Sequence, residues 1–356
     1  MASVTPHIST RRLFVMAGML AVFASCAMAP RADATLVYMT GGFPTEPPRL
    51  PAPEWVWSAH NDGSAPRRLA RGSAPRISPD GKLVAYDSFS HGKTRLTVVP
   101  AAGGRPRVLI ASGWQDQSTL AWSPDSKTLL AVMGSEVGGK RLVRINVESG
   151  AVGATLATGH DFFSAEFSPD GSRVIYTRAS TEKIPTDLFI VALETGRVRQ
   201  LTHDHRSSDA VWGRGWIVFS RSRNARHRED APKQDLYLIK PAGTDLHRLT
   251  YTNPPFLLSG LTPVEWSFDG LRLLAEFGGQ DTSYAEIVNP TTGRVRRVGT
   301  PSQGFVGWGL SHNGHWILAT TGGPEPSSNT NVVAIPYGGS KPRILARHAW
   351  WADWNR

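Results

Sequence analysis

The chain holds a single cysteine, Cys26, in 356 residues, so neither an internal disulfide nor a zinc site built from cysteines is available to it. After the first 34 residues no apolar run approaches the ~20 residues a membrane-spanning helix needs. The Gly-x-Ser-x-Gly elbow and the His-Glu-x-x-His pair are missing, as is any nucleic-acid-binding motif. A helical bundle is excluded by 35 glycines and 26 prolines, a composition suited to short strands and tight turns. Positive charge is in excess, +10 with histidine neutral; this favours anionic surfaces and leaves the fold open.

Residues 1–34 have the make-up of an export signal. Arg11 and Arg12 form the positive region, Leu13 to Met28 the apolar stretch, and Ala32-Asp33-Ala34 the small-residue cleavage site. Thr10-Arg11-Arg12-Leu13-Phe14-Val15 resembles the twin-arginine export motif, an ordinary Sec leader being the alternative. Phe23-Ala24-Ser25-Cys26 resembles a lipoprotein box with an aromatic in place of the usual aliphatic residue. The preferred reading discards Cys26 with the leader; in the second it is lipidated and anchors the chain. The charge left after Ala34 is +8, because the leader holds three arginines and one aspartate. An extracytoplasmic protein is expected, periplasmic or secreted.

An internal repeat dominates the remaining residues. Arg76-Ile77-Ser78-Pro79-Asp80-Gly81-Lys82-Leu83-Val84-Ala85-Tyr86 returns at Ala121–Ala131 and again at Glu166–Tyr176. Weaker copies begin at Val211, Glu265 and Gly309. Taking Ile77, Trp122, Phe167, Trp212, Trp266 and Trp308 as the bulky residue before each turn, the steps are 45, 45, 45, 54 and 42. In Ser-Pro-Asp-Gly the proline presets φ, the aspartate bonds nearby backbone, and the glycine accepts a left-handed conformation. Two more strands follow each such hairpin, as in Leu188-Phe189-Ile190-Val191 and Arg197–Leu201. Four short antiparallel strands per ~45 residues make one blade of a β-propeller. Leu36–Met39, Trp55–Ser58 and Arg67–Leu69 read as second, third and fourth strands lacking a first, which Ala352–Asn355 supplies. The expected fold is all-β: a seven-bladed β-propeller over residues 35–356, closed by the C-terminal strand joining the N-terminal blade.

The repeated Ser-Pro-Asp-Gly-Lys/Arg-aliphatic motif resembles that of TolB-type (WD40-like) β-propellers, also seen in the propeller domains of prolyl-oligopeptidase-type peptidases. The resemblance covers the chain after the leader and implies fold; activity is not carried with it. On this reading the blades begin about where the leader ends, so neither the additional N-terminal domain of TolB nor the hydrolase domain of the peptidases is expected within these residues.

Several motifs have plainer readings. One tryptophan per repeat (Trp122, Trp212, Trp266, Trp308) points to packing between blades, and Asp80, Asp125 and Asp170 to turn formation. Gly134–Arg141 nearly spells a phosphate-binding loop but ends in Arg141 and links two strands. Ser180 and Lys183 have nucleophile–base spacing without other signatures. The Pro-rich stretch Phe43–Pro53 reads as an extended loop of the first blade.

Polar loops that join one blade to the next are the remaining candidates. Gln115-Asp116, His160-Asp161, His203-Asp204-His205 with Asp209, and His348 are expected on one face around the channel mouth, as ligand-binding residues. Arg221, Arg223, Arg226 and Arg228 form a candidate anion-binding loop. The preferred function is a monomeric, non-catalytic scaffold for an envelope protein or an anionic polymer, with no cofactor and no nucleic acid. The alternative is an enzyme at the channel mouth, a metal-assisted polysaccharide lyase or a hydrolase, drawing on the same histidines and aspartates.

Overall fold

The computed structural model describes residues 35–42, 53–112, 114–135, 139–179, 186–223, 233–254, 258–279, 283–299, 304–323, 326–339 and 341–355. Residues 1–34, expected from their composition to be an export signal, lie outside them, as do Phe43–Ala52 of the Pro-rich stretch, Ser180–Lys183, Arg226 and Arg228.

Five of the six repeat hairpins are held by one short hydrogen-bond circuit; the fourth, with Gly213 in the serine's place, closes instead through the Gly213 N–H to the Trp216 carbonyl. The serine hydroxyl donates to the aspartate two residues on, at 2.7 Å for Ser78–Asp80, 2.6 Å for Ser123–Asp125, and 2.5 Å for Ser168–Asp170 and Ser267–Asp269. The same oxygen accepts the N–H five residues on, from Leu83, Thr128, Arg173 and Arg272. Asn313 replaces the aspartate in the sixth copy, receiving Ser311 at 2.7 Å. These aspartates are therefore turn formers. The Ser168 hydrogen bond, with two more from Ser172, holds the Asp170 carboxyl down to about 2. Where the second copy lacks the glycine, Ser126 adopts a φ of +61° in its place.

The strands assemble into four-stranded antiparallel units in chain order. The first contains β1 (Thr35–Thr40), β2 (Trp55–His60) and β3 (Arg67–Arg71). The second contains β4 (Ser73–Ile77), β5 (Leu83–Ser90), β6 (Lys93–Pro100) and β7 (Arg107–Ile110). In the third are β8 (Trp114–Trp122), β9 (Thr128–Ser135), β10 (Gly139–Asn146) and β11 (Val152–Gly159). The fourth holds β12 (Asp161–Phe167), β13 (Arg173–Ala179), β14 (Thr186–Ala192) and β15 (Val198–Gln200). Next come β16 (Ser207–Trp212), β17 (Ile217–Ser222), β18 (Gln234–Ile239) and β19 (His247–Arg248). They are followed by β20 (Leu258–Trp266), β21 (Leu273–Gly279), β22 (Ser283–Val288) and β23 (Val295–Arg297). Then come β24 (Phe305–Leu310), β25 (Trp316–Thr321), β26 (Val332–Pro336) and β27 (Arg343–Ala346). Finally β28 (Ala349–Trp354) pairs antiparallel with β1, Leu36 opposite Trp354 and Thr40 opposite Ala349. No helix occurs among the described residues.

The sheets are not all separate. Single parallel pairs, Gln234 with Gly260 and Tyr284 with Phe305, join the last three units into one twelve-stranded ladder. Gly260 permits the first of these: its φ is +117°, and a Cβ there would sit 2.3 Å from the Gln234 carbonyl oxygen. Among the described residues no sheet closes on itself.

Apolar clusters fill the space between successive units. Val37 and Val56 meet Ile77, Val84 and Val99 between the first and second, and equivalent clusters separate each later pair. A further cluster packs Leu318, Val332 and Leu345 against Leu36, Ala352 and Trp354. Carboxylates on inner strands add polar ties between units. Glu166 accepts the Trp212 N–H at 2.6 Å, Glu265 the Leu310 N–H at 2.8 Å, and Asp353 the Ile77 N–H at 3.0 Å. These ties correct one register. The residue equivalent to Ile77 and Trp212 in the sixth copy is Leu310, directly before the turn serine, rather than Trp308. Trp308 instead lies 5.4 Å from Trp351 and donates its indole N–H to Thr320 at 3.1 Å.

Candidate functional site

Antiparallel order puts the repeat turns at one end of the strands. At the other end lie the loops that leave second strands and those that enter first strands. The sequence-derived site residues lie toward this second end, several of them in different surroundings from those expected. Gln115 and Asp116 belong to β8, with Asp116 opposite Val132, rather than to a loop. Their side chains lie outside the described set. Asp161 is likewise the first residue of β12, half-buried, and forms an ion pair with Lys140 at 2.7 Å across two units. Asp209 is inside β16, where the register shifts between Ser208 and Val211; its φ is +51°. Burial pushes its carboxyl above the usual range, against a 2.6 Å hydrogen bond from Ser208.

The remaining residues form a knitted ridge. Asp187 is buried at the start of β14, the place Asp235 takes in β18, and each is the hub of its unit. Asp187 accepts the Thr202 hydroxyl at 2.9 Å and the His205 N–H at 3.1 Å, while the His205 Nδ1 lies 2.7 Å from its other oxygen. Asp235 pairs with Arg223 at 2.8 Å and Arg248 at 2.7 Å, and accepts the Thr252 N–H at 2.8 Å. Asp204 pairs with Arg221 and caps Ser207. The Arg221 guanidinium also lies 4.6 Å over the Tyr237 ring. The candidate histidine loop and the described part of the candidate arginine loop are therefore one structure. Its charges are engaged: Arg221 and Arg223 spend their guanidinium groups on buried or half-buried carboxylates. His160, His203 and His348 are exposed. Of these, His348 contacts the Ser328 carbonyl through Nδ1.

Sequence reasoning missed Glu276 on β21. One of its oxygens accepts the Gly307 N–H at 3.1 Å, and the other is buried without a hydrogen-bond partner among the described residues. Burial pushes its pKa up to about 8, helped by the neighbouring Glu286. No local sequence signal marks it, because its surroundings come from β20, β22 and β24, through Thr262, Ala285 and Gly307. Folding thus retains a proton that the unfolded chain, at about 4.5, releases. Stability must fall as pH rises between about 4.5 and 8 and then level off. Replacing Glu276 with Gln should remove this slope and gain a few kcal/mol at pH 9 relative to pH 5. Urea unfolding at both pH values measures it; equal slopes for wild type and variant would refute it.

Chemically, this end offers ordered cations and exposed imidazoles. Among the described residues no three His, Cys, Asp or Glu side chains are gathered as a metal site.

No protein-family model matches the chain. It is 26% identical over 192 residues to the uncharacterized peptidase YuxL of Bacillus subtilis, covering 52% of this chain and 27% of that one. The matched region is thus little more than a quarter of that relative. Among solved structures, TolB from Acinetobacter baumannii superposes with a TM-score of 0.54 at 16% identity, covering 90% of this chain and 66% of the other. Oligogalacturonate lyase from Vibrio parahaemolyticus superposes with a TM-score of 0.57 at 13% identity, covering 80% and 83%. At such identities the likeness concerns the fold, which is that of a TolB-like β-propeller.

Proposed function

We propose that the chain is an extracytoplasmic, non-catalytic binding scaffold: a closed propeller of seven blades that presents the ridge around His203–Arg206 and Arg221–Arg223. Support for closure comes from β28 pairing with β1 and from the apolar cluster between β25–β27 and β28–β1. Support for export comes from the composition of residues 1–34. The observation that carries the binding reading is the double anchorage of the ridge on Asp187 and Asp235. It leaves exposed His203, His205 and Arg206 on a stiff base, preorganised for an acidic protein surface or an anionic polymer.

Polygalacturonate is a suitable defined probe. The purified protein should retain it at low salt without forming unsaturated or shortened products. A His203→Ala, Arg206→Ala double variant should bind at least tenfold more weakly. Turnover of the polymer, or of a peptide substrate, would overturn the scaffold reading in favour of an enzyme. Undiminished binding by the variant would remove the ridge from it.

A further inference from the structure

The opposite end of the strands, formed by the repeat turns, carries an apolar feature that folding does not explain. In the first three copies the residue after the turn serine is Pro79, Pro124 or Pro169, and the fifth turn position is Lys82, Lys127 or Ser172. In the fifth copy these positions hold Phe268 and Leu271, and each side chain is 65% exposed. The hydrogen-bond circuit of that turn is intact: Ser267 reaches Asp269 at 2.5 Å and accepts the Arg272 N–H at 2.9 Å. Neither apolar side chain is therefore needed for the turn, and a proline is compatible with it.

The neighbouring turns build on this pair. His312 stacks on Phe268 with ring centroids 4.5 Å apart, and the Arg214 guanidinium lies 5.8 Å from the same ring. A Cβ on Gly270 would meet Arg214 at 3.5 Å, and one on Gly314 would meet Ser267 at 3.2 Å, so the three turns are contiguous. Trp316, just after the third turn, is 37% exposed. Lys82 and Lys127 project from the equivalent turns of other units and are exposed. Two large exposed apolar side chains on one turn, beside an exposed arginine and imidazoles, have the chemistry of an interfacial anchor. The apolar groups enter the acyl boundary while the cations meet lipid phosphates. An exposed apolar tip fits a lipid surface better than a pocket-bearing partner, and the +8 charge of the residues after Ala34 complements an anionic one.

We propose that this end docks on anionic lipid bilayers, with Phe268 and Leu271 inserted and Arg214 at the headgroups. The proposal goes beyond the scaffold reading and uses none of its residues. Sedimentation with vesicles of phosphatidylethanolamine containing 30% phosphatidylglycerol tests it. Wild type should bind these and bind pure phosphatidylcholine vesicles at least tenfold more weakly. Phe268→Pro with Leu271→Ser restores residues already present in the protein's own turns. This variant should keep the wild-type melting temperature and lose tenfold or more in vesicle affinity. Phe89→Ser, which removes a 58% exposed phenylalanine near the other end of the strands, should leave binding unchanged. No binding by wild type, equal binding by the turn variant, or an equal loss in Phe89→Ser would each overturn the proposal. Absent vesicle binding would turn attention to a protein partner for the patch, and polygalacturonate retention would still report on the ridge.

Discussion

Ending the chain at His348 should leave a protein that does not unfold cooperatively. The deletion removes β28, exposing the backbone edge of β1 and opening the cluster that holds Leu36, Leu318, Val332 and Leu345. It also removes Asp353 from the Ile77 N–H and Asn355 from the Thr35 N–H, which it binds at 2.6 Å. A graded version is Trp354→Ala. That indole is buried and donates to the Leu310 carbonyl at 3.1 Å, so its loss should cost about 3–5 kcal/mol. Near-ultraviolet circular dichroism and thermal melting measure both. A truncated chain that melts cooperatively near the wild-type temperature would show that β28 is dispensable, and the closed-ring reading would fall with it.

Asp235→Ala should be the most damaging single change near the candidate ridge, at about 3 kcal/mol or more. The carboxylate is 0% exposed and is shared by Arg223, Arg248, Thr250 and Thr252. Removing it takes the carboxylate from two guanidinium groups and a backbone N–H, leaving Arg223 and Arg248 only the Thr252 and Thr250 carbonyls among the described residues. Both arginines are partly exposed, so water recovers some of the loss, which places the estimate at the lower end of the range for broken buried pairs. Asp235→Asn keeps the shape and the Thr252 acceptor and should cost less. Urea midpoints order the series wild type, Asn, Ala; indistinguishable midpoints would mean that the hub contributes nothing. The same variants should weaken polygalacturonate retention, because Arg223 ties the ridge to this aspartate.

The comparison between sequence and structure turns on range. Ser78-Pro79-Asp80-Gly81 and its copies announced their hairpins, because a serine, an aspartate and a glycine within four residues contain the whole hydrogen-bond circuit. The third and fourth strands followed from alternating apolar runs such as Leu188–Val191, and the C-terminal partner of β1 from the spacing of the copies. By contrast, Trp308 misled because a tryptophan near the right place outweighs a leucine in any reading by size. Only the tie from Glu265 to the Leu310 N–H sets that register. Gln115, Asp116, Asp161 and Asp209 resemble loop residues in sequence because polar side chains look locally like turns. Pairing with neighbouring strands extends β8, β12 and β16 over them.

The primary structure alone thus determined the repeat, the hairpins, the all-β class and the excess of positive charge, all encoded over a few residues or a regular period. The burial of Glu276, the engagement of Arg221 and Arg223, the hubs at Asp187 and Asp235, and the exposure of Phe268 and Leu271 were decided by tertiary structure. Each depends on groups brought together from distant parts of the chain, and burial and charge pairing are properties of that neighbourhood rather than of the residue.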